Sequence, residues 1–159
     1  MRVTRVALAV LMLSLIATLP IGAAKNVPFK GSWSGVTVSA DPTGFPVVAI
    51  VAEGGGQLTH LGRYFMTSPH STDVFTGETI GDQIFTAANG DTLTAFCAGF
   101  PQQNLETGIV SGPLDCDITS GTGRFADASG SYVFFLTASP NPNGVGFVTV
   151  ASIEGEISF

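Results

Sequence analysis

The sequence predicts an all-β protein folded as an eight-stranded antiparallel up-and-down β-barrel. Apolar and polar residues alternate with the two-residue period of a strand along most of the chain after Lys30. Charged residues make up only 11% of the chain, and no stretch shows a long helical pattern rich in Leu, Lys and Glu. A barrel is favoured over the alternative, a two-sheet β-sandwich, because closure removes exposed strand edges that few charges here could protect.

Eight strands follow one another, separated by turns rich in glycine and small polar residues. The predicted strands are residues 30–38, 46–53, 57–68, 84–88, 91–100, 113–120, 132–139 and 146–159. The predicted turns are residues 41–44, 54–56, 68–73 and 139–144. Asn89 and Gly90 predict a two-residue hairpin turn, since both residue types tolerate the positive φ angles that such a turn needs.

The two cysteines, Cys97 and Cys116, are predicted to form a disulfide. The loop "PQQNLETG", with its centre near Glu106, returns the chain so that both cysteines face each other on inward strand faces. An even cysteine count in an oxidising compartment favours one bridge, which would close a loop of about 20 residues and contribute about 3 kcal/mol. Two buried free thiols remain the alternative.

The N-terminal residues 1–24 predict a secretory signal peptide. Arg2 and Arg5 precede an apolar run that is shorter than the roughly 20 residues needed to span a bilayer, and small residues end at Ala24. An uncleaved membrane anchor is the alternative. The remaining residues 25–159 are predicted to be one secreted, extracytoplasmic domain.

The net charge of residues 25–159 limits which classes of partner the protein can bind. Four basic side chains stand against twelve acidic ones in this range, a net charge of −8. Such a balance disfavours nucleic acid and anionic membranes, and we expect no stable membrane insertion.

The stretch "SGTGRFADASGSY", residues 120–132, predicts a structural plug at one barrel end. Gly121 and Gly123 allow sharp backbone turns, and Phe125 can fold inward over the end of the barrel. Arg124 is then expected to bond carbonyls or a carboxylate at the barrel edge, with a clamp for an anionic ligand as the alternative.

This stretch also resembles a "GGTGRFAGA-G" segment of dirigent proteins. Together with "THLGRY", "TAANGD" and the terminal "GEISF", it is similar to secreted bacterial proteins related to the allene oxide cyclase barrel. The resemblance runs from about Val47 to Phe159 and implies an eight-stranded barrel with a central apolar cavity, trimeric in plant relatives. Dirigent proteins steer the coupling of phenoxy radicals, and allene oxide cyclases close a ring in a fatty-acid epoxide. No cavity residue of either group matches a position here, so neither activity is carried over.

Few residues offer catalytic chemistry, and no catalytic residue is predicted. His60 is expected on a strand near Arg63 as a satisfied or edge histidine, and His70 in a solvated loop. The sequence lacks a nucleophile elbow, a P-loop and paired histidines. Asp115 and Asp117 share a strand face and are expected to be outward acids that keep the protein soluble, with calcium binding as the alternative. No metal and no cofactor is predicted.

Two functions stay open. The first is the binding of a small hydrophobic or aromatic molecule in the barrel, with dirigent-like or cyclase-like steering of a reaction. The second is a structural or interaction module with a filled core. The residues expected to line a cavity or its opening are Trp33, His60, Arg63, Phe65, Phe85, Phe96, Phe134 and Phe147.

Overall fold

A computed structural model describes residues 25–159 as one closed barrel. The predicted signal peptide, residues 1–24, lies outside the described residues, so its cleavage stays a prediction. The elements are β1 (Val27–Asp41), β2 (Val47–Leu58), β3 (Gly62–Asp73), β4 (Thr79–Ala87), β5 (Thr92–Gly99), β6 (Gln102–Gln103), β7 (Val110–Gly121), a one-turn 3-10 helix (Gly123–Phe125), β8 (Ser129–Pro140) and β9 (Phe147–Ser158).

Antiparallel pairing of neighbours in the chain builds the barrel. Each long strand pairs with the next, β5 pairs directly with β7, and β1 pairs with β9 to close the sheet. The two-residue β6 is an extra strand that pairs with β7 at one end. The eight-stranded barrel is confirmed, and the sandwich alternative is wrong because every long strand has a partner on both sides.

The strand connections alternate between two ends of the barrel that differ in structure. Connections 42–46, 74–78, 100–109 and 141–146 share one end, which we call the mouth. Connections 59–61, 88–91 and 122–128 share the other end, which contains the 3-10 helix and which we call the plugged end.

Large side chains fill the half of the barrel next to the plugged end. The largest fully buried apolar side chains of the described residues are Phe29, Met66, Phe85, Leu93, Phe125, Ile153 and Ile157. The ring of Phe85 lies 5.3 Å from that of Tyr64 and 6.1 Å from that of Tyr132, between centroids. Such close packing leaves this half solid.

The predicted disulfide is confirmed. Cys97 and Cys116 lie directly opposite each other on β5 and β7, with Cα atoms 4.0 Å apart and sulfurs bonded. Between these strands the chain turns around Glu106, whose N–H donates to the Oδ1 atom of Asn104. The free-thiol alternative is therefore wrong.

The glycine triplet at residues 54–56 is not a turn, as predicted, but part of β2. The backbones of β1 and β2 approach so closely that a Cβ atom at Gly56 would lie 1.8 Å from the carbonyl oxygen of Ser32, and one at Gly54 would lie 2.1 Å from that of Ser34. Glycine is needed here for close approach. The actual turn is at 59–61.

The predicted turn at residues 68–73 is also wrong, because these residues continue β3. Pro69 suggested a break, since it has no N–H to donate to a sheet. The pairing of β3 with β4 skips Ser68 and Pro69 and resumes between His70 and Gly81 in the same register. The strand therefore tolerates the proline and carries His70 onward.

The hairpin at Asn89 and Gly90 exists, but its loop is longer than predicted. Only Gly90 of the pair has a positive φ, at 90°, and Ala87 bonds through its N–H to the carbonyl oxygen of Asp91. Four residues therefore connect β4 to β5. Within residues 25–159, no helix is long and apolar enough to span a bilayer.

Candidate ligand cavity

A cavity of about 110 Å³ lies in the half of the barrel next to the mouth. Its apolar wall comprises Trp33, Ile50, Ala52, Met66, Leu114, Phe134, Leu136, Ala138 and Phe147. The cavity exists because inward positions here carry smaller side chains, such as Ala52 and Ala138, where the plugged half carries Phe and Tyr. Thr37, Val110 and Thr149 line the wall and are only partly buried, so the cavity opens towards the mouth.

His70 brings the one imidazole into the cavity wall. Its Nδ1 atom lies 3.0 Å from the carbonyl oxygen of Ser68, and because a carbonyl oxygen only accepts, Nδ1 carries the proton. Burial lowers the pKa of His70, although the bond to Ser68 opposes this shift. The ring is therefore neutral at neutral pH, and its Nε2 is an acceptor with no partner among residues 25–159.

The neighbouring hydroxyl of Ser68 does not make a nucleophile with His70. Its Oγ lies 3.5 Å from Nδ1 of His70, the nitrogen that already holds a proton. A general base must present a lone pair to the nucleophile. The pair therefore lacks the arrangement required for covalent catalysis.

Gln83 lies at the floor of the cavity, held by a buried tyrosine. The hydroxyl of Tyr132 donates to Oε1 of Gln83 at 2.9 Å. Burial and the nearby Tyr64 raise the pKa of Tyr132, so this hydroxyl keeps its proton. The amide nitrogen of Gln83 has no hydrogen-bond partner within the described part of the chain, which leaves it as a donor at the floor.

Trp33 lines the cavity with its ring, while its indole N–H is buried. The side chain is only 3% exposed, and its indole N–H has no hydrogen-bond partner among residues 25–159. The ring lies over Gly35, where a Cβ atom would be 2.3 Å from Cζ2 of Trp33. A buried polar group without a partner costs about 1–3 kcal/mol, and the N–H is itself too buried to meet a molecule in the cavity.

The cavity thus joins an apolar wall to uncharged polar side chains: the imidazole of His70, the amide of Gln83 and the hydroxyl groups of Thr37, Ser68, Thr79 and Thr149. No carboxylate lines it. Among residues 25–159, no group of three or more His, Cys, Asp or Glu side chains is arranged to hold a metal ion. Such a site suits a neutral molecule that is mostly apolar and carries one or two polar groups.

Only some of the aromatic residues predicted to line the cavity do so. Trp33, Phe134 and Phe147 line it, whereas Phe85 is buried in the solid half. Placing Phe65 and Phe96 inside was wrong, because they are 48% and 45% exposed on the outer face. Strand alternation explains this, as their neighbours Tyr64, Met66, Ala95 and Cys97 are the inward residues.

His60 and Arg63, predicted near the opening, both lie at the plugged end. His60 occupies the tight turn before β3 with a φ of 68°, and Arg63 is exposed at the start of β3. Placing the two residues at the cavity or its opening was wrong, because residues 59–61, predicted to lie within a strand, form the turn at the plugged end. The imidazole at the cavity is His70, and continued alternation from Tyr64 and Met66 is the signal that could have found it.

Residues 121–125 lie at the plugged end, away from the cavity. Phe125 is fully buried and its ring centroid lies 5.5 Å from that of Phe159. Gly123 has a φ of 57°, and the guanidinium of Arg124 donates to the carbonyl oxygen of His60. Gly121 lies so close to Phe125 that a Cβ atom there would be 2.3 Å from its carbonyl oxygen.

No protein-family model matches the chain, and no curated protein matches it. A solved structure of a pterocarpan synthase dirigent protein is similar, with 15% sequence identity and a TM-score of 0.49, over 94% of this chain and 98% of that one.

Proposed function

We propose that this protein binds one small, uncharged, largely apolar molecule in the mouth cavity. The observation that carries the proposal is the cavity itself, with an apolar wall, uncharged polar side chains that include His70 and Gln83, and no charged group in its lining. It favours binding over the alternative of a structural module with a filled core. The disulfide and the predicted signal peptide support an extracytoplasmic site of action.

The size of the cavity limits the ligand. An engineered apolar cavity of about 150 Å³ accommodates benzene, and the cavity here measures about 110 Å³. One aromatic ring or a short branched chain therefore approaches the capacity of the interior. Any larger ligand must leave its remaining atoms at the mouth.

Reaction steering is the chemistry that the site supports best. A neutral His70 and the amide donor of Gln83 would fix the orientation of a reactive molecule, while the apolar wall would exclude water. Holding one conformer accelerates a unimolecular reaction without a covalent intermediate. Whether an oriented ligand reacts depends on its own chemistry.

Binding can be measured through Trp33, the only tryptophan. We expect toluene and benzyl alcohol to change Trp33 fluorescence saturably, and benzoate to do so much more weakly because no cation lines the cavity. Ala138→Leu, which fills the cavity, should weaken binding by about tenfold or more. Ala49→Leu on the outer face is the matched control and should bind as the wild type does. Saturable binding confined to benzoate, or equal binding by both variants, would refute the proposal.

A further inference from the structure

Exposed apolar side chains surround the mouth of the barrel. Every mouth connection presents at least one of them: Phe45, Phe75, Phe100, Leu105 and Val145, which we call the rim. Phe75 is 74% exposed, Val145 is 75% and Leu105 is 90%. Single exposed apolar residues are ordinary, but a ring drawn from four separate connections around one opening marks an interaction surface.

Local hydrogen bonds hold the rim residues in place. The rings of Phe45 and Phe75 contact each other edge to face, with centroids 5.3 Å apart. The carboxylate of Asp73 accepts the N–H groups of Phe75 and Thr76 at 2.8 and 3.1 Å, which also lower the pKa of Asp73. Leu105 lies in a turn where Asn104 accepts two further N–H groups. The rim is therefore presented by ordered turns.

Charge is distributed unequally between the two ends. Within residues 25–159, all four cationic side chains belong to the plugged end, namely Lys25, Lys30, Arg63 and Arg124. The charged residues of the mouth are all acidic, namely Asp41, Asp73, Glu78 and Glu106. The rim thus combines apolar tips with a negative surround.

We propose that the rim docks onto the surface of a zwitterionic lipid bilayer, with the cavity mouth facing the lipid. Aromatic and aliphatic loop tips partition into the interfacial region, and the acidic residues around them complement the outward cationic groups of choline headgroups. An anionic surface would repel the same acids. Docking goes beyond the proposed function, and would give an apolar ligand a path between lipid and cavity that avoids water.

A second copy of the chain fits the rim less well. Mouth-to-mouth contact would bring the four acids of one copy against the same four of the other, and such like-charge contacts disfavour association. It would also close the opening of both cavities. Lipid is therefore the occupant that charge and cavity position favour.

Flotation with phosphatidylcholine vesicles tests the docking. The exported wild-type protein is compared with the rim pair Phe45→Ser/Phe75→Ser and the wall pair Phe65→Ser/Phe96→Ser, which removes two exposed phenylalanines from the barrel side. All three proteins share their N-terminal residues, so these cannot cause a difference. We expect the rim pair to lower the partition coefficient by about tenfold or more and the wall pair by less than about twofold. Thermal melts check that each variant folds. If the rim pair does not fold, the variant Leu105→Ser/Val145→Ser is used in its place.

The outcomes separate docking from the other occupants and from ligand binding. Equal losses in both pairs, no flotation of the wild type, or stronger binding to phosphatidylglycerol than to phosphatidylcholine at low salt would overturn docking. So would a dimer that light scattering detects only in proteins with an intact rim. Benzyl alcohol binding without vesicles should be unchanged in the rim pair. Its absence in all proteins would refute the cavity proposal and leave the flotation result to decide docking.

Discussion

At the scale of single residues, His70 decides the polarity of the cavity. Its proton is committed to the carbonyl oxygen of Ser68, so the face that a ligand meets accepts a hydrogen bond and carries no charge. Burial then keeps it neutral by lowering its pKa. A ligand hydroxyl group can donate a hydrogen bond to this acceptor, whereas a carboxylate has no proton to donate.

The pKa of His70 predicts how stability responds to pH. Because burial depresses this pKa below its ordinary value of 6.5, the unfolded chain binds the proton at higher pH than the folded chain. The stabilising effect is present above 6.5 and is lost as the pH falls towards the folded pKa. We therefore expect the melting temperature of the wild type to fall between about pH 7.5 and about pH 5.5, a window above the ordinary carboxyl range.

Two variants separate His70 from the rest of the chain. His70→Gln should show a smaller fall in melting temperature over the same window, while His60→Asn at the plugged end should follow the wild type. Equal falls in all three proteins would mean that His70 is not responsible.

Gly35 permits the position of Trp33. A Cβ atom at residue 35 would lie 2.3 Å from the indole ring and 2.4 Å from the carbonyl oxygen of Glu53. Gly35→Ala should lower the free energy of unfolding by about 1–3 kcal/mol and shift Trp33 fluorescence. Gly144→Ala, in the mouth connection before β9, is the control. Urea titrations that gave both variants wild-type stability would contradict the tight approach.

At the scale of elements, the plug depends more on its backbone than on its charge. Gly123 has a positive φ, and a Cβ atom there would lie 1.9 Å from Oδ1 of Asp91. Arg124 is exposed and bonds a single carbonyl. Gly123→Val should therefore cost about 1–3 kcal/mol of stability and Arg124→Ala less than about 1 kcal/mol. Thermal melts in the reverse order would make Arg124 the more important residue.

The disulfide joins β5 to β7 across the loop that contains β6. It closes a segment with a sequence separation of 19, so Cys97→Ala/Cys116→Ala should lose about 3 kcal/mol of stability. Urea unfolding of the variant measures the loss, and dithiothreitol should reproduce it in the wild type without further effect on the variant. A variant as stable as the oxidised wild type would contradict this expectation.

Regular alternation decided which elements could be predicted from the sequence. From Leu114 to Thr119 in β7 and from Ala151 to Ile157 in β9, the inward residues are apolar or glycine and the outward ones polar or acidic, so the strands, the disulfide and the barrel follow. In β2 and β3, glycines 54–56 and Pro69 suggested turns, and only contact with neighbouring strands explains why they continue the sheet. The cavity depends on the combined volume of inward side chains from several strands. No single segment of the sequence shows which of these side chains meet.

At the scale of the whole molecule, the two ends of the barrel differ in packing and in charge. One end is packed with aromatic residues and carries the cations, and the other is open, apolar at its tips and acidic around them. Successive strand connections alternate between the two ends of the barrel. Four connections therefore form the mouth together, and the other three form the plugged end.

The plug at one end has a kinetic consequence. Since Phe125 and the solid half block the far end of the described barrel, a ligand must enter and leave through the same opening, and a competitor cannot push it out from behind. Release should therefore follow a single exponential whose rate does not depend on how much competitor is added. Stopped-flow chase of a bound aromatic molecule with increasing toluene measures this rate, and acceleration by toluene would show that a second molecule enters before the first has left.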